Sequence, residues 1–118
     1  MIHNILIVDD SATDRNFLEQ LLRKAGYAVS TALNGSLALT QVQQNPPDAI
    51  LMDVNMPEMD GFAATRKLKS DESTKGIPIF FVTGKNQKAD MAWASMLGAR
   101  GYVTKPYSEE QILALFKG

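Results

Sequence analysis

Ile5-Leu6-Ile7-Val8-Asp9-Asp10-Ser11 is a continuous apolar run closed abruptly by two carboxylates and a hydroxyl. Four apolar residues in a row, mostly β-branched, read as a short strand buried on both faces. Ser11, with Asp14 three residues on, has the form of a capping box at a helix start. Phe17, Leu18, Leu21, Leu22 and Ala25 then recur at helical spacing, and Gly26 is a stop signal. A buried strand feeding directly into an amphipathic helix is half of a βαβ unit.

Working outward, the same alternation continues. Tyr27 to Ala32 reads as a more polar strand, as at a sheet edge, and Asn34-Gly35 as a turn. Leu37 to Gln44 is a second helix, closed by Asn45-Pro46-Pro47. Ala49-Ile50-Leu51-Met52 is a third strand ending at Asp53, followed by a loop through Asn55-Met56-Pro57 and Asp60-Gly61. Phe62 to Leu68 reads as a helix, and Ile77 to Val82 as a strand whose Pro78 is tolerable near its start. Ala89 to Leu97 is helical with Gly98 as its cap, and Tyr102-Val103 is a short fifth strand. Ser108 opens a last helix, with Gln111 in the capping-box position. Strict alternation of this kind predicts an α/β fold: a doubly wound five-stranded parallel sheet in a three-layer α/β/α sandwich. The flavodoxin-like strand order 2-1-3-4-5 is our choice among the doubly wound orders, since the pattern itself does not display the order.

The chain has 118 residues, which fits one domain, 1–118. It contains no cysteine, which excludes a disulfide framework and a thiolate metal site. A net charge of -1 argues against a dedicated nucleic-acid binder. No apolar run approaches the roughly 20 residues that span a bilayer, so membrane insertion is not expected. Met1-Ile2-His3-Asn4 carries no basic n-region, so we expect a cytoplasmic protein.

The polar residues that interrupt this pattern all follow apolar strands. Asp9 and Asp10 follow the first, Asp53 the third, Thr83 the fourth, and Thr104-Lys105-Pro106 the fifth. In an open parallel sheet these carboxyl ends line one crevice, where ligands bind. Three converging carboxylates repel one another, and a divalent cation relieves that cost. Oxygen ligands suit Mg²⁺, with Mn²⁺ as an alternative. An Asp left free of that task can attack phosphorus and form an aspartyl-phosphate. Lys105 and the Thr83 hydroxyl would then stabilise the charge of the incoming phosphoryl group.

These motifs, with Met52-Asp53-Val54-Asn55-Met56-Pro57-Glu58-Met59-Asp60-Gly61, Val82-Thr83-Gly84 and Gly98-Ala99, resemble the response-regulator receiver family of two-component signalling, the CheY-like domains. Trp93, Gly98-Ala99-Arg100 and Tyr102 are similar to those of stand-alone regulators of twitching motility and chemotaxis-like systems. The resemblance implies that Asp53 is phosphorylated by a sensor histidine kinase or a histidine phosphotransfer protein. It implies that Asp10, Asp53 and the Asn55 carbonyl hold Mg²⁺, with Asp9 acting partly through water. Lys105 would contact a phosphoryl oxygen, and the Lys105-Pro106 peptide would be cis. Thr83 and Tyr102 would switch the face formed by helix four, strand five and helix five, where a downstream protein docks. Asn55 and Lys85 would tune the lifetime of the phosphoryl group. The domain would catalyse only its own phosphorylation and dephosphorylation, and the chain is expected to be a complete stand-alone receiver.

Plainer readings exist for each residue. Asp9-Asp10-Ser11 would serve as a helix cap, Asp53 as a turn residue, and Lys105 as a solvated lysine. Trp93 shares helical spacing with Ala89, Ala92 and Met96, which predicts packing in the core or just beneath the surface. His3 is expected at the surface. Two other functions compete with the receiver. A Mg²⁺-dependent phosphatase with an Asp nucleophile would need a second carboxylate two residues after Asp53, where Asn55 stands. A phosphorylation-independent scaffold would not need the complete acceptor set.

Overall fold

The computed structural model describes residues 1–117. Its elements alternate as β1 (Asn4–Val8), α1 (Ala12–Lys24), β2 (Ala28–Ala32), α2 (Gly35–Gln44), β3 (Ala49–Met52), α3 (Gly61–Ser70), β4 (Ile79–Thr83), α4 (Lys88–Met96), β5 (Gly101–Thr104) and α5 (Glu109–Ala114). All strand pairs are parallel, in the order β2-β1-β3-β4-β5. The expected flavodoxin-like topology is therefore the observed one. Among the described residues, no helix is long and apolar enough to cross a membrane.

The sheet order explains the strand compositions. β3 and β4 lie inside the sheet and are buried throughout, and β1 is buried from Ile5 to Val8. β2 and β5 are the edges, and each buries a single residue, Ala32 and Val103. Because side chains alternate across a strand, each central strand feeds two cores. Leu6, Val8, Ile50, Met52 and Phe81 pack with Ala38 and Val42 of α2, Ala64 and Leu68 of α3, and Ala94 of α4. Ile5, Ile7, Leu51, Phe80 and Val82 pack with Leu18, Leu21 and Leu22 of α1 and Ile112 of α5. Burying a side chain of this size stabilises by roughly 1.5–3 kcal/mol, before the entropy of ordering the chain is set against it.

Several local expectations need correction. Asn34-Gly35 is not a free turn: Asn34 is the N-cap of α2, and its Oδ1 accepts a bond from Leu37 N–H at 2.9 Å. Asn satisfies both patterns, so the sequence alone favoured the wrong one. The Ser11 box is only half made. Ser11 Oγ accepts from Asp14 N–H, but the Ser11 N–H donates to Asp9 Oδ1. The Ser108–Gln111 box is complete, with both reciprocal bonds present. Trp93 is 39% exposed and Met96 76%, so the α4 stripe faces solvent rather than the core. His3 is exposed, as expected.

Candidate functional site

Strand register assembles the site. Val8 of β1 is paired with Met52 of β3, so the next residues, Asp9 and Asp53, emerge side by side. The ladder continues past the strand ends: Asp53 N–H donates to the Val8 carbonyl at 2.9 Å, and Asp9 N–H to the Ala32 carbonyl at 3.2 Å. Across the sheet, Thr83 is paired with Thr104, and Lys105 N–H donates to the Thr83 carbonyl at 2.8 Å. Asp9, Asp10, Asp53, Thr83 and Lys105 are thus brought to one rim.

Asp9 and Asp53 are buried, whereas Asp10 is exposed. One carboxylate oxygen from each of the three lies within 4.8 Å of the others. Oxygen donors this close together on neighbouring strands and their loop suit a hard divalent cation. Asp53 Oδ1 accepts bonds from the backbone N–H groups of Val54 at 2.7 Å and Asn55 at 3.3 Å, which fixes the carboxylate plane. Burial raises the Asp9 carboxyl above its ordinary range, and the Asp53 charge adds to this. The bonds from Lys105 and Ser11 oppose both effects.

Lys105 Nζ donates to Asp9 Oδ2 at 2.9 Å, Asp14 Oδ2 at 2.8 Å and Asp53 Oδ2 at 3.1 Å. An ammonium has three N–H donors, and each finds a carboxylate. Burial alone would lower the Lys105 pKa. The bonds to Asp14 and Asp9 and the charge of Asp53 outweigh it and leave the group more basic than usual. The Lys105-Pro106 peptide is cis. Tyr107 follows, its phenol pushed up to about 12 by burial and then by the Asp14 charge.

Asp14 is the site residue that the sequence reading missed. It was assigned to the helix cap, but its side chain turns away from Ser11 to Lys105. The available signal was positional: the first turn of a helix that follows a strand lies at the same rim as the strand end.

Thr83 is buried at the end of β4, and its Oγ1 accepts from Lys85 N–H at 3.3 Å. Tyr102 is half-buried against Phe81, with ring centroids 6.0 Å apart. Its hydroxyl donates to the Lys85 carbonyl at 2.8 Å, tying β5 to the loop after Thr83. Burial raises the Tyr102 pKa, as do the charges of Asp90 and Asp53. Asn55 is exposed beside Asp53, and Lys85 Nζ lies 4.0 Å from Asp90 of α4. Gly61 closes the loop from Asp53: its N–H donates to the Val54 carbonyl at 2.9 Å. A Cβ at this position would run into the Asp53 carbonyl oxygen.

The family described as response regulator receiver domain matches residues 5–117 of this chain. Protein PilH of Pseudomonas aeruginosa is 46% identical over 92% of this chain and 90% of its own length. Response regulator PleD of Caulobacter vibrioides is 40% identical over 97% of this chain, which spans 25% of PleD. The receiver domain of a sensor histidine kinase from Pseudomonas aeruginosa, solved with a magnesium ion coordinated in its active-site cleft, superposes with a TM-score of 0.88. It is 29% identical over 98% of this chain and 94% of its own.

Proposed function

This chain belongs to the response regulator receiver family, the CheY-like phosphorelay modules of two-component systems, and we propose that Asp53 is its phosphoryl acceptor. The observation that carries this reading is the position of Asp53: buried, oriented by two backbone N–H groups, and held between Lys105 and two further carboxylates. Asp10, Asp53 and the backbone carbonyl of Asn55 would hold Mg²⁺ directly, with Asp9 acting at least partly through water, and Mn²⁺ could fill the same site. The magnesium ion in the cleft of the kinase receiver domain supports this assignment. When bound, the cation neutralises charge on the phosphoryl oxygens.

The donor is a phosphohistidine of a sensor kinase or a phosphotransfer protein. An Asp53 carboxylate oxygen attacks phosphorus, the P–N bond breaks, and the imidazole leaves with its electron pair. Lys105 stays against the acceptor and offsets charge on a phosphoryl oxygen. Thr83 Oγ donates to another. Hydrolysis later restores the carboxylate and releases inorganic phosphate. These are the domain's only reactions, both on itself. The new charge, about -1.5 to -2, draws the Thr83 loop toward it. Tyr102, tied to Lys85 in that loop, moves with it and reshapes the face of α4, β5 and α5 for a downstream protein. The setting is the cytoplasm, and the pathway is one of motility or chemotaxis control, in keeping with the likeness to the Vibrio cholerae chemotaxis protein CheY4, 33% identical over 97% of this chain.

The test is intact mass after brief incubation with Mg²⁺ and acetyl phosphate, beside Asp53→Asn and a metal-free control. Wild type alone should gain one phosphoryl group, and only with metal. Equal labelling of Asp53→Asn would refute the assignment. No gain with acetyl phosphate and no adduct with beryllofluoride would point to a scaffold that works without phosphorylation.

A further inference from the structure

We propose that the solvent-facing side of α3 and α4 docks an acidic amphipathic helix of a partner protein. The argument begins with a stripe that is in the wrong place. Ala89, Ala92, Trp93 and Met96 have the i, i+3, i+4, i+7 spacing of a helix face that belongs in a core. In the fold all four are exposed, and Ala94 is the residue α4 turns inward. An apolar stripe of helical period left open to water is what a second helix covers, ridge against groove.

The indole is already fixed for contact. The Arg66 guanidinium of α3 lies over the Trp93 ring, 5.8 Å from its centroid. Trp and Arg are the residues that most often anchor interfaces, and Met adapts to irregular partners. The charge around the stripe has one sign. Arg66 stands beside Trp93, and Lys69 reaches the end of α4, where its Cε is 3.4 Å from a Cβ built on Gly98. Arg100 lines the groove on the Tyr102 side and adds positive charge near Lys69. Lys69 Nζ donates to the Lys75 carbonyl at 3.2 Å and the Ile77 carbonyl at 3.4 Å and has no carboxylate partner among the described residues, while burial and then the Arg100 charge lower its pKa. α3 contains no acidic residue, and the one acid of α4, Asp90, pairs with Lys85. On a protein of net charge -1, this is a local excess of positive charge.

These features select the occupant. A second copy of this chain would bring Arg66 and Lys69 against their own kind, so a twofold contact here is disfavoured. A membrane surface would gain little from two cations on an otherwise slightly acidic protein. An acidic helix satisfies both the apolar stripe and its basic border. The surface also goes beyond the switch face: Met91 and Ser95 line the groove that α4 shares with Tyr102, whereas Trp93 looks toward α3.

Trp93 is the single tryptophan, so its emission reports directly on this face. The unphosphorylated protein is titrated with a synthetic helical peptide bearing Leu at i, i+3, i+4 and i+7 and Glu elsewhere. A peptide with Lys in place of Glu, and vesicles of anionic phospholipid, are titrated in parallel. The acidic peptide should give a saturable blue shift that the Lys peptide does not. Met96→Asp and Arg66→Glu, both at exposed positions and checked for folding by circular dichroism, should each weaken its apparent Kd at least tenfold. The proposal is overturned if the acidic peptide gives no saturable shift or if the Lys peptide binds equally well. It is also overturned if both folded variants bind like wild type. A shift produced by vesicles and not by the acidic peptide assigns the face to a membrane surface instead.

Discussion

Lys105 Nζ sits closer to Asp14 Oδ2, at 2.8 Å, than to either Asp9 or Asp53, at 2.9 and 3.1 Å. Asp14 therefore gives the lysine an anchor outside the three-carboxylate cluster. A cation engaging Asp9 would leave that anchor in place, because Asp14 lies outside the cluster. Removing it should leave Lys105 less well aimed at Asp53. Asp14→Ala is expected to slow phosphorylation by acetyl phosphate at saturating Mg²⁺. The Asp14 side chain is partly exposed, so the pair is worth about 1 kcal/mol, or roughly fivefold in rate. Asp14→Glu should recover most of the loss, and the Mg²⁺ midpoint should move less than about twofold. An unchanged rate in Asp14→Ala would show that Lys105 needs no such anchor.

Gly61 is constrained by Asp53. Its missing Cβ is the space taken by the Asp53 carbonyl oxygen, with the Met52 side chain close behind. Gly61→Ala would gain helix propensity at the start of α3, about 1 kcal/mol. The clash outweighs that gain, because backbone at a strand end cannot swing aside as a side chain can. The net effect expected is a loss of about 1–3 kcal/mol in urea unfolding, with the slope unchanged. Labelling of Asp53 should slow as well, since the displaced backbone carries the proposed acceptor.

The core of this fold was legible because its strands are buried on both faces. Runs such as Ile5 to Val8 and Ala49 to Met52 cannot sit elsewhere. The site was legible for the same reason: polar side chains that end such runs must share a rim. Local chemistry with two solutions was not legible. Asn34 suits a turn and an N-cap equally, and Asp14 suits a cap and a lysine partner. The choice depends on Asp9 taking the Ser11 N–H, a contact set by the fold. Trp93 was misplaced because helical period identifies an apolar face without saying what lies against it.

Asp48 links the start of β1 to the start of β3. Its Oδ2 accepts from the backbone N–H groups of His3 at 2.8 Å and Asn4 at 2.9 Å. The Asn4 bond, and then the His3 bond, lower its pKa below the ordinary 3.8. A depressed carboxyl contributes stability that is fully present above its unfolded value and is lost as pH falls through its folded value. The window therefore opens near pH 4 and extends downward. Asp48→Asn keeps an acceptor oxygen but cannot titrate. Urea midpoints from pH 5 to pH 3 should fall more steeply for wild type than for this variant, and the two should converge at the acid end. Parallel curves would mean that Asp48 plays no part in acid sensitivity.

Thr65 lies buried in α3, and its Oγ1 has no hydrogen-bond partner among the described residues. A buried hydroxyl left unpaired costs about 1–3 kcal/mol. Valine has nearly the same shape and a similar helix propensity, so Thr65→Val removes that cost and little else. The variant should be more stable by about 1 kcal/mol, which for a chain of this size raises the thermal midpoint by roughly 3–6 °C. Thr65→Ser provides the contrast: it keeps the orphan hydroxyl, deletes a packed methyl group, and should be less stable than wild type. A destabilised Thr65→Val would mean that the hydroxyl is paired in solution, with a bound water or with the carbonyl one turn back in α3.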